Sequence, residues 1–299
     1  MKKKVIITTM LFICLISLFI LKDKDGEALN FKDKTNIQYS SKSDRLLMDI
    51  SYPEVKSSKK QPAVIYVHGG SYANGDKERY KSENMKYFKN SKYIYISINY
   101  RLNNEAVFPA AINDVKSAIR YVKSNSDELN VDTDNIFLFG HSAGANLVSL
   151  VSATEGLESL NKESIEYPKY KSDVKGLILT SGFYNLDTLY SQLKGRGRQK
   201  VYNNIKYQFK DTNHKKYSID SLNSYLKRID KPTLIFHNTG DTLVSHQQSI
   251  DYYNTLKIGN NENDNIDLVL KQAATHSGAT LFDENTSIHL KEWMNNIIE

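Results

Sequence analysis

The chain has 299 residues, 40% of them hydrophobic and 25% charged, a globular composition that excludes a disordered or collagen-like polymer. Its one cysteine excludes an internal disulfide framework and a multi-cysteine zinc site. The net charge of +6 is concentrated in residues 1–25 (five Lys, two Asp) and 187–230 (ten Lys or Arg, four Asp), a distribution unlike the broad basic footprint of a nucleic-acid binder.

Lys2, Lys3 and Lys4 precede an apolar run from Val5 to Leu21, and Lys22 closes it. As a helix those 17 residues would measure about 25 Å, longer than the usual core of a signal peptide and shorter than a full membrane span. The nearest small-residue cleavage pattern, Gly26-Glu27-Ala28, lies well downstream, and the bulky Ile13 before Cys14 is unlike a lipoprotein cleavage site. By the positive-inside tendency the Lys cluster stays in the cytoplasm. Residues 1–28 are therefore expected to be an export signal or membrane anchor. Residues 29–299 are expected to form a catalytic domain outside the cytoplasm, tethered or released.

The body alternates strand and helix. Short strands are predicted near Ile37–Tyr39 and Leu46–Tyr52, then a buried strand at Ala63–His68 bounded by Pro62 and Gly69, and another at Tyr93–Asn99. Ala111, Ile112, Val115, Ala118, Ile119 and Val122 share one helical face behind Pro109. A four-residue strand, Ile136–Phe139, leads into a helix from about Ser142 to Ala153. Strands follow at Leu177–Thr180 and Thr233–His237, then a helix around His246–Lys257, a strand at Ile266–Lys271 and a helix around Ser287–Ile298. This alternation predicts an α/β fold with a mostly parallel sheet covered on both faces. The basic, aromatic segment 187–230 interrupts it and is read as a cap over the sheet's C-terminal edge, where ligands bind in such folds.

Gly140-His141-Ser142-Ala143-Gly144 is a G-x-S-x-G between a strand and a helix. Such a turn is sharp enough to strain the Ser and leaves no room for side chains at its flanks. It would hold the Ser142 hydroxyl at a helix N-terminus with the Ala143 amide aimed at a developing oxyanion. His68-Gly69-Gly70-Ser71-Tyr72 ends an earlier strand, and the Gly69 and Gly70 amides are further candidate oxyanion donors.

Seven histidines compete for the role of base. His68 and His141 belong to the motifs just named, His237 ends a strand as a core or rim residue, His214 lies in the cap, and His246 and His289 fall in helical stretches. His276 sits in the loop after the last strand, placed to reach over the sheet edge. Asp241 follows the preceding strand in His237-Asn238-Thr239-Gly240-Asp241. The order Ser142, Asp241, His276 is that of an α/β-hydrolase triad, with Asp187 as the reserve acid.

The segments HGGSY at 68–72, NYRL at 99–102, FPAAINDVKSAIRYV at 108–122 and IFLFGHSAGANL at 136–147, with the loops at 241 and 276, resemble the α/β-hydrolase serine esterases and lipases. The likeness is to the bacterial group that includes hormone-sensitive-lipase-like and feruloyl- or acetyl-xylan-esterase-like members, and it spans roughly residues 45–299. It implies an α/β-hydrolase fold with an inserted cap, a triad of Ser142, Asp241 and His276, and an oxyanion hole of Gly69, Gly70 and Ala143. It also implies that Asn99, Arg101 and Asp114 brace the sheet. Ser71 and Tyr72 depart from the third Gly and the Trp of many relatives. The expected substrate is a small or short-acyl ester, cleaved through an acyl-enzyme. No cofactor is expected, since neither a dinucleotide-binding glycine motif nor a metal-ligand cluster is present in the sequence. Further expectations are membrane contact through an uncleaved N-terminal segment, no nucleic-acid partner, and an anionic cell-wall polymer as a partner of the basic cap. The alternatives are an amide-bond hydrolase (formamidase or peptidase) on the same triad and a catalytically silent surface binding module.

Overall fold

A computed structural model describes residues 32–298, apart from 55–56, 58, 79–87, 89–90, 158–159, 161–162, 211–218 and 260–264. The expected export segment, residues 1–28, and His214 lie outside the described residues. Among the described residues no helix is long and apolar enough to cross a membrane.

Eight strands form one sheet: β1 (Lys34–Gln38), β2 (Leu47–Ser51), β3 (Gln61–Val67), β4 (Ile94–Ile98), β5 (Val131–His141), β6 (Gly176–Thr180), β7 (Thr233–Asn238) and β8 (Ile266–Lys271). Their order is β1-β2-β4-β3-β5-β6-β7-β8. β2 is antiparallel to both β1 and β4, and every pair from β4 to β8 is parallel. Parallel strands need crossovers, and these are supplied by α1 (Ala110–Ser124), α2 (Ser126–Leu129), α3 (Ala143–Ala153), α4 (Leu186–Gln192), α5 (Arg198–Gln208), α6 (Ile219–Leu226) and α7 (Gln247–Gly259), with α8 (Glu284–Ile298) closing the chain.

Two apolar layers arise from the two-residue period of the strands. On β3, Ala63, Ile65 and Val67 join Ile112, Val115 and Ile119 of α1 and Leu147 and Val151 of α3. Val64 and Tyr66 face the other way, with Phe137, Phe139 and Phe236, against Leu290, Trp293 and Met294 of α8. β3 is buried along its whole length, as a strand covered on both faces must be.

Several boundaries differ from the sequence reading. β5 begins at Val131, five residues before the predicted strand, because its polar start still pairs at Val131 with Gln61 of β3. α3 begins at Ala143 and leaves Ser142 as its cap residue. α8 begins at Glu284, where Asp283 Oδ1 accepts the Thr286 amide at 3.0 Å. Asp283 is exposed, and Lys271, 2.8 Å away, is first among the groups that hold its carboxyl below the usual range. A 3₁₀ turn at Gly278–Leu281 and the short α2 had no counterpart in the predicted elements.

The segment between β6 and β7 carries α4, α5 and α6. It touches loops that leave the C-terminal ends of the strands. Leu193 pairs with Val244 beyond β7, and the Lys194 amide donates to Leu243 O at 2.7 Å. Phe209 packs edge-on against Tyr72 with ring centroids 5.7 Å apart, and Gln208 O accepts from the Phe108 amide at 2.9 Å.

Candidate active site

At the end of β5 the chain turns directly into α3. Ser142 takes φ 54°, ψ −118°, a strained conformation for a residue with a side chain. The turn requires close backbone approach. A Cβ on Gly144 would lie 2.2 Å from Val67 O and 2.6 Å from His68 O, so only glycine lets the first turn of α3 rest on the end of β3. Gly69 packs against Ser142 from the other side, where a Cβ would meet Ser142 Cβ at 3.1 Å and His141 O at 2.9 Å.

The structure brings Ser142, His276 and Asp241 together from the loops after β5, β8 and β7. His276 Nδ1 lies 2.7 Å from Asp241 Oδ2, and His276 Nε2 lies 2.8 Å from Ser142 Oγ. A carboxylate on one side makes the ring carry its proton on Nδ1, which leaves Nε2 to accept the Ser142 hydroxyl proton. The two supporting loops are tied to each other. Asn238 Nδ2 donates to Thr275 O at 3.0 Å and to Thr280 Oγ1 at 2.9 Å, and the backbone at Gly240 runs close against Ala273.

Asp241 is fully buried, and burial alone would raise its carboxyl. Hydrogen bonds from His237 and His276 and the Leu243 amide outweigh that penalty and hold it well below the usual carboxylate range. Its Oδ1 accepts the amides of Leu243 at 2.8 Å and Val244 at 2.9 Å. Asp187 is not part of this cluster: it lies in the first turn of α4, exposed, and accepts from Asn223 Nδ2 at 2.8 Å.

Gly69 and Ala143 flank Ser142 on its two sides. The amide of Ala143, first residue of α3, belongs to a helix turn with no preceding carbonyl to bond. Gly70 turns the chain away at φ 121°. Ser71 and Tyr72 also have positive φ, at 56° and 61°. Tyr72 repays this strain by burial and by donating to Asn146 Oδ1 on α3 at 2.6 Å, and Asn146 donates in turn to Phe183 O at 3.1 Å.

Other histidines are engaged elsewhere. His68 stacks on Tyr100 with centroids 4.4 Å apart. His141 Nδ1 meets Thr180 Oγ1 at 3.1 Å, although its ring lies 5.3 Å from that of His276. Arg101 grips Asp114 with its backbone amide (2.9 Å) and guanidinium (2.6 Å) and reaches Glu163 at 2.8 Å. Asn99 Oδ1 accepts the Lys77 amide at 2.7 Å. The sequence reading did not find Glu163 or the contact of His237 with Asp241, 3.2 Å from Nε2 to Oδ2. The latter was visible only as an i, i+4 spacing around Gly240. Among the described residues no group of three or more His, Cys, Asp or Glu side chains is arranged to hold a metal ion.

Comparison with known proteins agrees with this architecture. The sequence profile of the family described as BD-FAE matches residues 48–256. Carboxylesterase 20 of Arabidopsis thaliana is 34% identical over 133 residues, which are 43% of this chain and 38% of that protein. The probable carboxylic ester hydrolase LipM of Mycobacterium tuberculosis is 23% identical over 205 residues, 69% of this chain and 47% of that protein. This chain thus spans less than half the length of these curated relatives. Among solved structures, a truncated carbohydrate esterase from gut microbiota superposes with a TM-score of 0.71 at 20% identity, covering 91% of this chain and 99% of that one. A thermophilic esterase from Thermogutta terrifontis gives a TM-score of 0.62 at 20% identity, covering 90% and 93%. Likeness at that identity shows a shared fold.

Proposed function

Since the chain belongs to the BD-FAE family and has the α/β-hydrolase fold, we propose that it is a serine carboxylic-ester hydrolase using Ser142, His276 and Asp241. The observation that carries this reading is the continuous contact from Ser142 Oγ through His276 to Asp241, 2.8 Å and 2.7 Å, at a strained strand-to-helix turn. The geometry orders the steps. Ser142 Oγ attacks the ester carbonyl carbon while His276 Nε2 takes its proton. The amides of Ala143, Gly69 and Gly70 hold the oxyanion. The tetrahedral intermediate expels the alcohol oxygen, which leaves with the proton returned by His276. Water, deprotonated by the same nitrogen, then releases the acyl group from Ser142. Asp241 keeps the ring in the required tautomer and stabilises its cationic form.

Small or short-acyl esters fit this reading, and the names of the relatives support an ester over an amide. The basic stretch Lys194, Arg196, Arg198 and Lys200 is exposed and starts beside the Asp241 loop, where the Lys194 amide bonds Leu243 O. This supports anionic esters, including those on cell-wall polymers, as a substrate class. The basic and apolar N-terminal sequence supports work outside the cytoplasm. The deciding experiment compares p-nitrophenyl esters of graded acyl length, neutral and anionic, with formyl- and peptidyl-anilides, for the wild type and Ser142→Ala. Ester turnover that vanishes in the variant supports the reading. Anilide turnover exceeding ester turnover would replace it with amide hydrolysis. Fractionation of the native host tests the location, and recovery of the full chain in the cytosol would refute export.

A further inference from the structure

Asp241 Oδ2 faces two histidines. His276 Nδ1 approaches at 2.7 Å, and His237 Nε2, near the end of strand β7, approaches the same oxygen at 3.2 Å. His237 is fully buried, as is Asp241. Its Nε2 also lies 3.2 Å from Val244 O. A carbonyl oxygen and a carboxylate oxygen can only accept, so Nε2 must carry a proton whenever the site is assembled. On the far side of the ring, Nδ1 meets Ser249 Oγ of α7 at 2.7 Å, and a serine hydroxyl can donate to the neutral ring. Contacts therefore run from Ser142 through His276, Asp241 and His237 to Ser249.

We propose that His237 is a positioning residue for the catalytic acid, holding the Asp241 carboxylate in its orientation toward His276 and trimming the negative charge it presents to that base. The inference rests on the triad proposed above. The geometry favours trimming over competition. The His237 proton is shared between two acceptors at the longer distance, whereas the contact to His276 is short and unshared. A donor on Oδ2 disperses the carboxylate's charge, so the imidazolium form of His276 gains less from it. The groups facing this chain of contacts are few. His141 lies beside the His276 ring, and the amides of Leu243 and Val244 sit on Oδ1. His246 on the following loop interacts with both His237 and Asp241, and burial, with His237 and Lys194 nearby, holds its own titration low.

The test is the pH dependence of kcat/KM for p-nitrophenyl acetate, measured on the full chain carrying His237→Leu, His237→Gln or Ser142→Ala. Leu fills similar space with no donor. It should lower kcat/KM about tenfold and move the acid limb upward by about half a pH unit. Gln places an N–H near the same oxygen and should return the limb to its wild-type position. A folded His237→Leu with the wild-type limb would overturn the proposal, and so would a Gln variant shifted as far as Leu. Substantial turnover by Ser142→Ala would instead remove the triad reading beneath it. If neither His237 variant folds, ¹⁵N spectra of the histidine-labelled wild type decide. His237 should hold a protonated Nε2 across about pH 5 to 9, and an unprotonated Nε2 would overturn the proposal.

Discussion

Replacing Asp241 by Asn keeps the side chain's shape, removes its charge and leaves one oxygen where two accepted hydrogen bonds. Four donors converge on this carboxylate: the Leu243 and Val244 amides on Oδ1, and the His276 and His237 rings on Oδ2. An Asn offers one oxygen. If that oxygen stays on the two amides, its NH₂ faces both rings and forces His276 to turn an unprotonated Nδ1 toward it. The proton then sits on Nε2, aimed at Ser142, where it cannot serve as a base. If the amide flips, its NH₂ confronts two backbone N–H groups instead. The first leaves one N–H of the new amide facing the His237 N–H with nothing to accept it, and the second leaves the Leu243 and Val244 amides without acceptors, at about 1–3 kcal/mol for each buried donor. The first also costs about 10³–10⁴ in rate, as for other triads with the wrong tautomer, equivalent to about 4–5.5 kcal/mol of transition-state stabilisation. The measurement is kcat/KM on p-nitrophenyl acetate beside thermal melting. A folded variant within tenfold of wild type would show that this carboxylate does not set the tautomer of His276.

Ser142→Ala should lower kcat by about 10⁶ while the melting temperature holds, and an active variant would require another nucleophile. The stability that Asp241 contributes through its depressed carboxyl is present above its unfolded value of about 3.9 and is lost as pH falls below that. The melting difference between wild type and Asp241→Asn should accordingly be flat near neutrality and close on acidification below about pH 4. Gly144→Ala should prevent folding or lower the melting temperature sharply, because its Cβ would sit 2.2 Å from Val67 O, a backbone atom that cannot swing aside. Lys116, buried with its ammonium on Thr154 O at 2.7 Å, is lowered to about 8, chiefly by burial. A lysine that binds its proton less tightly when folded makes stability rise with pH between about 8 and 10.5, and Lys116→Met should flatten that rise in melting experiments.

Much of the sheet was legible because its strands are covered on both faces. A run such as Ala63–Val67 has no polar side to hide its identity, and the glycines of the turn at Ser142 mark a backbone crowding that few other sequences tolerate. The start of β5 was not legible, because Asp132, Thr133, Asp134 and Asn135 read as loop, and the pairing with β3 at Val131 shifts register across them before it resumes at Ile136. Candidate acid and base could be read from their order along the chain, but the contacts of Asp241 with His237 and of His237 with Ser249 could not. His237 ends an apolar strand and looks like core, and only the reversal at Gly240 brings Asp241 back against it. Glu163 is 62 residues from its partner Arg101, with no local pattern linking them. Long-range polar pairs leave no periodic trace in a sequence.

The chain departs from the sheet at Thr180 and returns at Thr233 beside the strand it left. Among the described residues between them, Phe183, Leu189, Leu193, Ile205 and Phe209 are buried in the same core as α1 and α3, while Ser142, Asp241 and His276 are carried by loops after β5, β7 and β8. The exposed side of the excursion, with Lys194, Arg196, Arg198 and Lys200, can therefore change without moving β6 on β7, while its buried side is held to the core. Selection for a new substrate and selection for intact chemistry then fall on different stretches of the gene, so a descendant can change its diet while keeping its catalyst. A graft of the excursion would have to carry its buried residues with it. The tether for a graft to preserve is the pairing of Leu193 with Val244, since Val244 also donates its amide to Asp241.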